Sequence, residues 1–200
     1  MLALSTLCAE ADRPLDRVVA SFRDLGVRAV ALHRPAQKAE ARGLAAIARM
    51  VRVVAVFGGE PGADVGTKLL VVEGGPAADD REASLESLCR RLHALRDWTV
   101  ALRTPSAPDH HPAPGEIALV REALGAVGYW HDAARGGEAH LEVAGRDLLG
   151  ASFDPLTEVD LAGLRGALPA AAPAVVACAP GTARDEVVEA LRCARGIFGN

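Results

Sequence analysis

The chain has 200 residues, half of them hydrophobic and 24% charged, which fits one soluble domain with room for a substantial core. Its net charge of −4, its scattered arginines and its 4% aromatic content argue against a nucleic-acid surface. Cys8, Cys89, Cys178 and Cys193 form no CxxC pair and sit in apolar surroundings, so they read as buried thiols of a reducing compartment rather than as disulfides or metal ligands. The first residues lack a charged leader and a long apolar run, and no segment approaches the roughly 20 apolar residues that cross a bilayer. The expected location is the cytoplasm.

Leu2–Leu7 is the first strand-like run. Asp12 is placed to cap a helix that Pro14 opens, with Leu15, Val18, Val19, Phe22 and Leu25 on one face and Gly26 at its end. Ala29–Leu32 is the second strand, and Leu44, Ile47, Ala48 and Val51 stripe the helix after it. Val53–Phe57 is the third strand. The Gly-rich stretch between it and the fourth, Leu69–Val72, is too short and too rich in breakers for a helix. Leu85, Leu88, Cys89, Leu92 and Leu95 then mark the cleanest helix of the chain. Val100–Leu102 is the fifth strand. A Pro-rich loop over 104–115 carries His110 and His111, which read as an idle surface pair.

Ile117, Val120 and Leu124 give the next helix its inner stripe, and Val127–Trp130 the sixth strand. A rudimentary helix around Glu138–Val143 follows, then the seventh strand, Leu148–Phe153. Leu161, Leu164 and Leu168 mark another helix, and Ala174–Ala177 is the eighth strand. Thr182 is placed to cap the last helix, with Asp185 at its third position. Strands alternating with helical patterns imply parallel βαβ units with right-handed crossovers. Eight of them imply an abbreviated (β/α)8 TIM barrel, a single α/β domain over 1–200, with any active site at the strand C-terminal ends. An open doubly wound sheet is the rival architecture.

The pattern resembles the xylose-isomerase-like barrels, the sugar phosphate isomerases and epimerases whose relatives include the AP endonuclease type. The opening LALSTLCAE before PLDRVVASFRDLGVRAVAL is similar to that family's first unit, VGYWHDAAR to its sixth strand, LLGASFDPLTEVDLAGLRGAL to its seventh, and VVACAPGTARDEVVEALRCAR to its last. The resemblance implies a divalent metal held by a Glu after strand five, an Asp after strand six, a His on strand seven and a Glu after strand eight. The matching positions here hold Arg103, Asp132, Ala151 and a residue near Ala179; Arg135 stands where an accessory His is expected, and Glu73 where many relatives carry a His. One carboxylate among arginines is no cation site, because guanidiniums repel the metal. Neither a metal nor another cofactor is expected.

The residues leave two readings. In the first, the chain is a sugar phosphate isomerase or epimerase relative that moves a proton next to a carbonyl on a small, anionic, carbohydrate-like substrate. Glu73, Asp132 and His33 or His131 would do the proton transfer, and Arg34, Arg103, Arg135 and Trp130 would hold the substrate. In the second, a non-catalytic barrel binds a small ligand or protein partner, and the same arginines pair with Glu73, Asp132 and Asp154 in a structural network. The partner expected in both is a small molecule, a sugar or a phosphate, with no nucleic acid and no membrane; a homodimer stays open. The two readings diverge on whether the rim acids face an open pocket or are tied up by the arginines.

Overall fold

In the computed structural model, residues 1–9, 13–33, 41–58, 64–136 and 138–199 are described, without the side chains of 41, 42 and 138. Eight parallel strands close into a barrel: β1 Leu2–Ser5, β2 Ala29–His33, β3 Arg52–Phe57, β4 Leu69–Val72, β5 Thr99–Arg103, β6 Val127–Asp132, β7 Leu148–Phe153 and β8 Ala174–Val176. Each strand pairs with its neighbours in sequence. The ring closes where Leu2 and Leu4 of β1 meet Ala174 and Val176 of β8. Outside lie α1 Leu15–Arg23, α2 Ala41–Met50, α3 Arg81–His93, α4 Glu116–Leu124, α5 Glu138–Ala144, α6 Leu161–Ala167 and α7 Arg184–Phe198.

The abbreviation falls where the glycines predict it. No helix occupies the described residues between β3 and β4, and α5 spans only seven residues. One feature has no counterpart in the periodicity. Gly75–Pro76 and His110–His111 pair antiparallel, tying the loop after β4 to the Pro-rich loop after β5. Gly74 is what lets these loops meet, since a Cβ there would lie 2.3 Å from the His111 carbonyl oxygen.

Two helix starts differ from expectation. The Asp12 cap lies outside the described residues, and Pro14 itself is the N-cap of α1. Helix α7 begins one residue later than Thr182 predicts. Ala183 is its N-cap, and Glu186, not Asp185, reaches back to the Ala183 N–H at 3.2 Å. Thr182 instead donates its hydroxyl to the Ala179 carbonyl.

Strand alternation splits the core into two layers. The outer layer packs β-strand residues such as Leu4, Leu32, Val56, Leu70, Leu102 and Phe153 against the helix stripes. The inner layer fills the barrel with small residues, Ala3, Ala29, Ala31, Ala55 and Ala101, around Phe57, Val71, Val175 and Trp130. The alanines have a physical use: a closed eight-stranded ring has room for one indole only if its neighbours are small. Trp130 is fully buried, meets Phe57 edge-on at 5.1 Å, and donates its indole N–H to Ser152 Oγ at 3.2 Å. Gly150 faces the ring; a Cβ there would lie 2.3 Å from it.

Candidate functional site

The alternation that aims Trp130 inward aims Asp132, two residues on, at the C-terminal mouth. Arg103 ends β5 beside it, Glu73 follows the last residue of β4, and Arg135 sits in the short turn after β6. These four side chains form one network. Arg103 Nε donates to Asp132 Oδ2 at 2.8 Å, and its Nη2 reaches the same oxygen. Arg103 Nη1 lies 3.3 Å from Glu73 Oε1. Arg135 Nη1 bonds Glu73 Oε2 at 2.8 Å and the Thr104 carbonyl at 2.9 Å, and its Nε lies 3.4 Å from Asp132 Oδ2. Two carboxylates thus face two guanidiniums with no charge left over.

The pairs differ in depth. The Asp132 side chain is 5% exposed and Glu73 is 46% exposed, with Arg103 and Arg135 between them at 18% and 24%. Asp132 is further fixed by the Ala134 N–H at its other oxygen, while its own N–H donates to Thr104 Oγ1 at 2.7 Å. Thr104 Oγ1 also contacts the Tyr129 hydroxyl. Asp132 is therefore the buried anchor of the mouth, and Glu73 its solvated edge.

His33 closes the other side of the mouth. It stacks on Phe57 with ring centroids 3.9 Å apart, and the Arg103 guanidinium also lies over the Phe57 ring, 5.4 Å from its centroid. Burial, aided by the Arg103 charge, lowers the His33 imidazole to about 3, and its Nε2 has no hydrogen-bond partner among the described residues. It is a neutral ring at neutral pH.

The remaining candidates lie elsewhere. His131 follows the inward Trp130, so it faces outward on the side of Tyr129, with ring centroids 6.3 Å apart. Trp130 fills the barrel interior and presents no surface. Asp154 accepts from the Leu156 N–H and does not join the network. Ala151 packs in the outer core, and β7 turns Ser152 rather than Ala151 toward the interior. The end of β8 is apolar inside. Arg34 lies outside the described residues.

One expectation from sequence changes, and the cysteines gain a detail: Cys8 and Cys178 are buried as expected, whereas Cys89 and Cys193 are only partly so. His111 is not at the surface: it is 2% exposed, with both ring nitrogens in contact with side chains. Cys8 and Cys178, 170 residues apart, meet at the seam between β1 and β8, where the Cys178 N–H donates to Cys8 Sγ at 3.1 Å. The hydrogen bond between the two side chains pushes the Cys8 thiol well up and lowers that of Cys178. All four cysteines are free thiols. Among the described residues no three His, Cys, Asp or Glu side chains gather where an ion could be held, and no helix is long and apolar enough to cross a membrane.

No family model matches the sequence, and no curated protein matches it. Solved structures do. A D-psicose 3-epimerase crystallised with D-fructose superposes with a TM-score of 0.70 at 9% identity, covering 100% of this chain and 99% of that one. A xylose isomerase domain protein from Planctomyces limnophilus gives 0.70 at 14% identity, with the same coverage. An AP endonuclease of family 2 from Brucella melitensis gives 0.71 at 12% identity, over 95% of this chain and 96% of that one. At such identities the likeness is one of fold: the closed (β/α)8 TIM barrel of this chain is shared with these three proteins.

Proposed function

We propose that the barrel mouth binds a small, anionic, carbohydrate-like molecule through Arg103 and Arg135, with Glu73 occupying the ligand's anionic position until it arrives. The observation that carries this is the bridge from Glu73 to both guanidiniums by a half-exposed side chain. A solvated carboxylate pair contributes little stability, so a phosphate or carboxylate can replace it at small cost. Guanidinium forks suit such oxyanions. Asp132 stays in place and keeps Arg103 aimed at the mouth.

A divalent cation does not fit these residues. Arg103 donates into the oxygen of Asp132 that a metal would need, Ser152 is a neutral hydroxyl, and the inner end of β8 offers no donor. The position where the resemblance implies a metal holds a guanidinium–carboxylate network, which supports the reading of a binding site that uses Arg103 and Arg135 instead of a cation.

A second reading, the isomerase or epimerase, draws on Glu73. Displaced by the ligand's anion, it becomes a free carboxylate beside the bound molecule, placed to take a proton next to a carbonyl. His33, with its low proton affinity, is a poor base for that step.

The test is thermal unfolding with inorganic phosphate and a ketose phosphate, against chloride at matched ionic strength. A ligand at a hundred times its Kd stabilises by about 2.7 kcal/mol. Arg135→Ala should abolish the phosphate-specific shift, and Glu73→Gln should bring it to lower phosphate concentrations. An equal shift in chloride, or one that survives Arg135→Ala, overturns the binding reading. Deuterium uptake from D2O beside the sugar carbonyl, lost in Glu73→Gln, would establish the isomerase reading instead.

A further inference from the structure

The loop pairing that buries His111 also assembles a second constellation, on the outer side of the β4–β5 edge. Ser84 Oγ, in the second turn of α3, lies 2.6 Å from His111 Nε2. His111 Nδ1 lies 2.8 Å from Glu116 Oε2, in the first turn of α4. The other Glu116 oxygen accepts from Arg81 Nε at 2.7 Å, and the Ala113 N–H donates to Oε2 at 2.6 Å. Burial pushes the Glu116 carboxyl up, but the hydrogen bonds from Arg81, His111 and Ala113 outweigh it and hold the group below its ordinary value. An ionised Glu116 accepts only, so Nδ1 carries the ring proton and Nε2 is left as an acceptor facing the serine hydroxyl.

The order is nucleophile, base, orienting carboxylate. It opens on a cavity of about 250 Å³ lined by Ser84, His111, Gly74, Gly75, Ser87 and Arg91. The volume lies below that of drug-sized sites, so the cavity suits a small substrate. Arg91 supplies a guanidinium on its wall, fixed by a hydrogen bond to the Gly74 carbonyl. Ser84 Oγ has a competing acceptor, the Arg81 carbonyl of its own helix at 3.1 Å. The imidazole is the nearer by half an ångström, and a hydroxyl that rotates between the two is a hydroxyl with a base in reach.

We propose that Ser84, His111 and Glu116 form a hydrolytic triad that cleaves small esters in this cavity. Ser84 Oγ attacks the ester carbonyl carbon as its proton passes to His111 Nε2, and the carbonyl oxygen takes the negative charge beside Arg91. The tetrahedral species collapses, the carbon–oxygen bond to the alcohol breaks, and the leaving oxygen takes the proton from His111. Water then gives a proton to His111 and attacks the acyl-serine. Collapse of that second intermediate releases the carboxylic acid and returns the proton to Ser84. Ser84 and His111 are the catalytic residues. Glu116 is a positioning residue, acting through Nδ1. None of the three belongs to the barrel mouth, so this activity stands apart from ligand binding there.

The test is labelling of the whole protein with a fluorophosphonate probe, alongside hydrolysis of p-nitrophenyl acetate. The probe should attach at Ser84, found by peptide mass spectrometry, and ester turnover should stop in Ser84→Ala while the melting temperature stays near that of the parent. Ser84 is only half-buried, so this variant keeps the fold. Glu116→Gln should slow labelling by about a hundredfold or more. Glu116→Asp, which restores a carboxylate on the Nδ1 side of the ring, should recover part of that rate. Labelling of Glu116→Gln at the parent's rate would mean that the glutamate is merely structural. Labelling at another residue, no labelling of the folded protein, or turnover that persists in Ser84→Ala would each overturn the triad.

Discussion

The barrel mouth and the α3–α4 cavity use the same ingredients, carboxylates beside arginine and histidine, to opposite ends. At the mouth each carboxylate is neutralised by a guanidinium, and the one imidazole, His33, is shut away from both acids against Phe57. In the cavity the carboxylate of Glu116 is shared between an arginine and an imidazole, which leaves the far nitrogen of that imidazole facing a hydroxyl. What a rim acid can do is therefore set by its partner. An arginine cannot pass a proton on, since it stays protonated at any working pH, whereas a histidine can.

The largest effect should come from removing the anchor of the first network. Asp132→Ala leaves the mostly buried Arg103 without its closest anion and strips the acceptor from the turn at Ala134. Breaking one partner of a buried pair costs about 3 kcal/mol. In a chain of this size that lowers Tm by roughly 6–12 °C. A Tm within a degree or two of the parent would mean that the mouth is more open than the network suggests.

Acid should separate the two sites next. His33 has its proton affinity lowered on folding, so the unfolded chain takes up a proton that the native one refuses. The stability it contributes is complete above about pH 6.5 and is lost as pH falls toward 3, with a slope of up to about 1.4 kcal/mol per pH unit. Urea unfolding of His33→Phe, which keeps the ring stack, should show a flatter acid limb over that window. Glu116 also has a folded value below its unfolded one, but its window lies lower. Its contribution is present above the ordinary glutamate range and fades as pH falls through the depressed value. The Tm difference between the parent and Glu116→Gln should accordingly hold from pH 7 to 5 and shrink below about pH 4. If the His33 variant and the parent titrate alike, the imidazole is not buried as described.

The mouth was legible in the sequence because a parallel barrel brings all strand C-terminal ends to one rim, so apolar runs ending at residues such as Leu102 and Val72 point to the positions just after them. Which neighbours pair was not, since an arginine at a rim serves a ligand and a carboxylate equally well. His131 could have been assigned from pleating alone: with Trp130 inside, its neighbour faces out. The triad had no such signal. Its three residues lie 27 and 5 positions apart and meet only because two loops pair over Gly75–Pro76 and His110–His111, a contact with no periodicity. A Pro-rich, polar loop reads as surface, and only the missing Cβ of Gly74, which admits the His111 backbone, marks the place where it is not.

The smallest expected effect is also the one that separates anchor from edge most sharply. Glu73 bonds the same two arginines as Asp132, with distances of 3.3 and 2.8 Å, yet nearly half of its side chain is in water. Solvent screens both contacts, and the side chain gives up rotamer freedom to make them, so exposed pairs of this kind contribute about 0–1 kcal/mol. Glu73→Gln should therefore leave Tm within about 4 °C of the parent. Its amide oxygen can still accept from Arg135, but it no longer cancels a charge, so the positive potential over the mouth rises. The variant should then gain more than the parent from added phosphate, and the gain should shrink with ionic strength as a field open to solvent requires. If Glu73→Gln costs as much as Asp132→Ala, Glu73 is a second structural anchor. The mouth is then closed by design, and a ligand would have to enter against about 3 kcal/mol rather than by exchange.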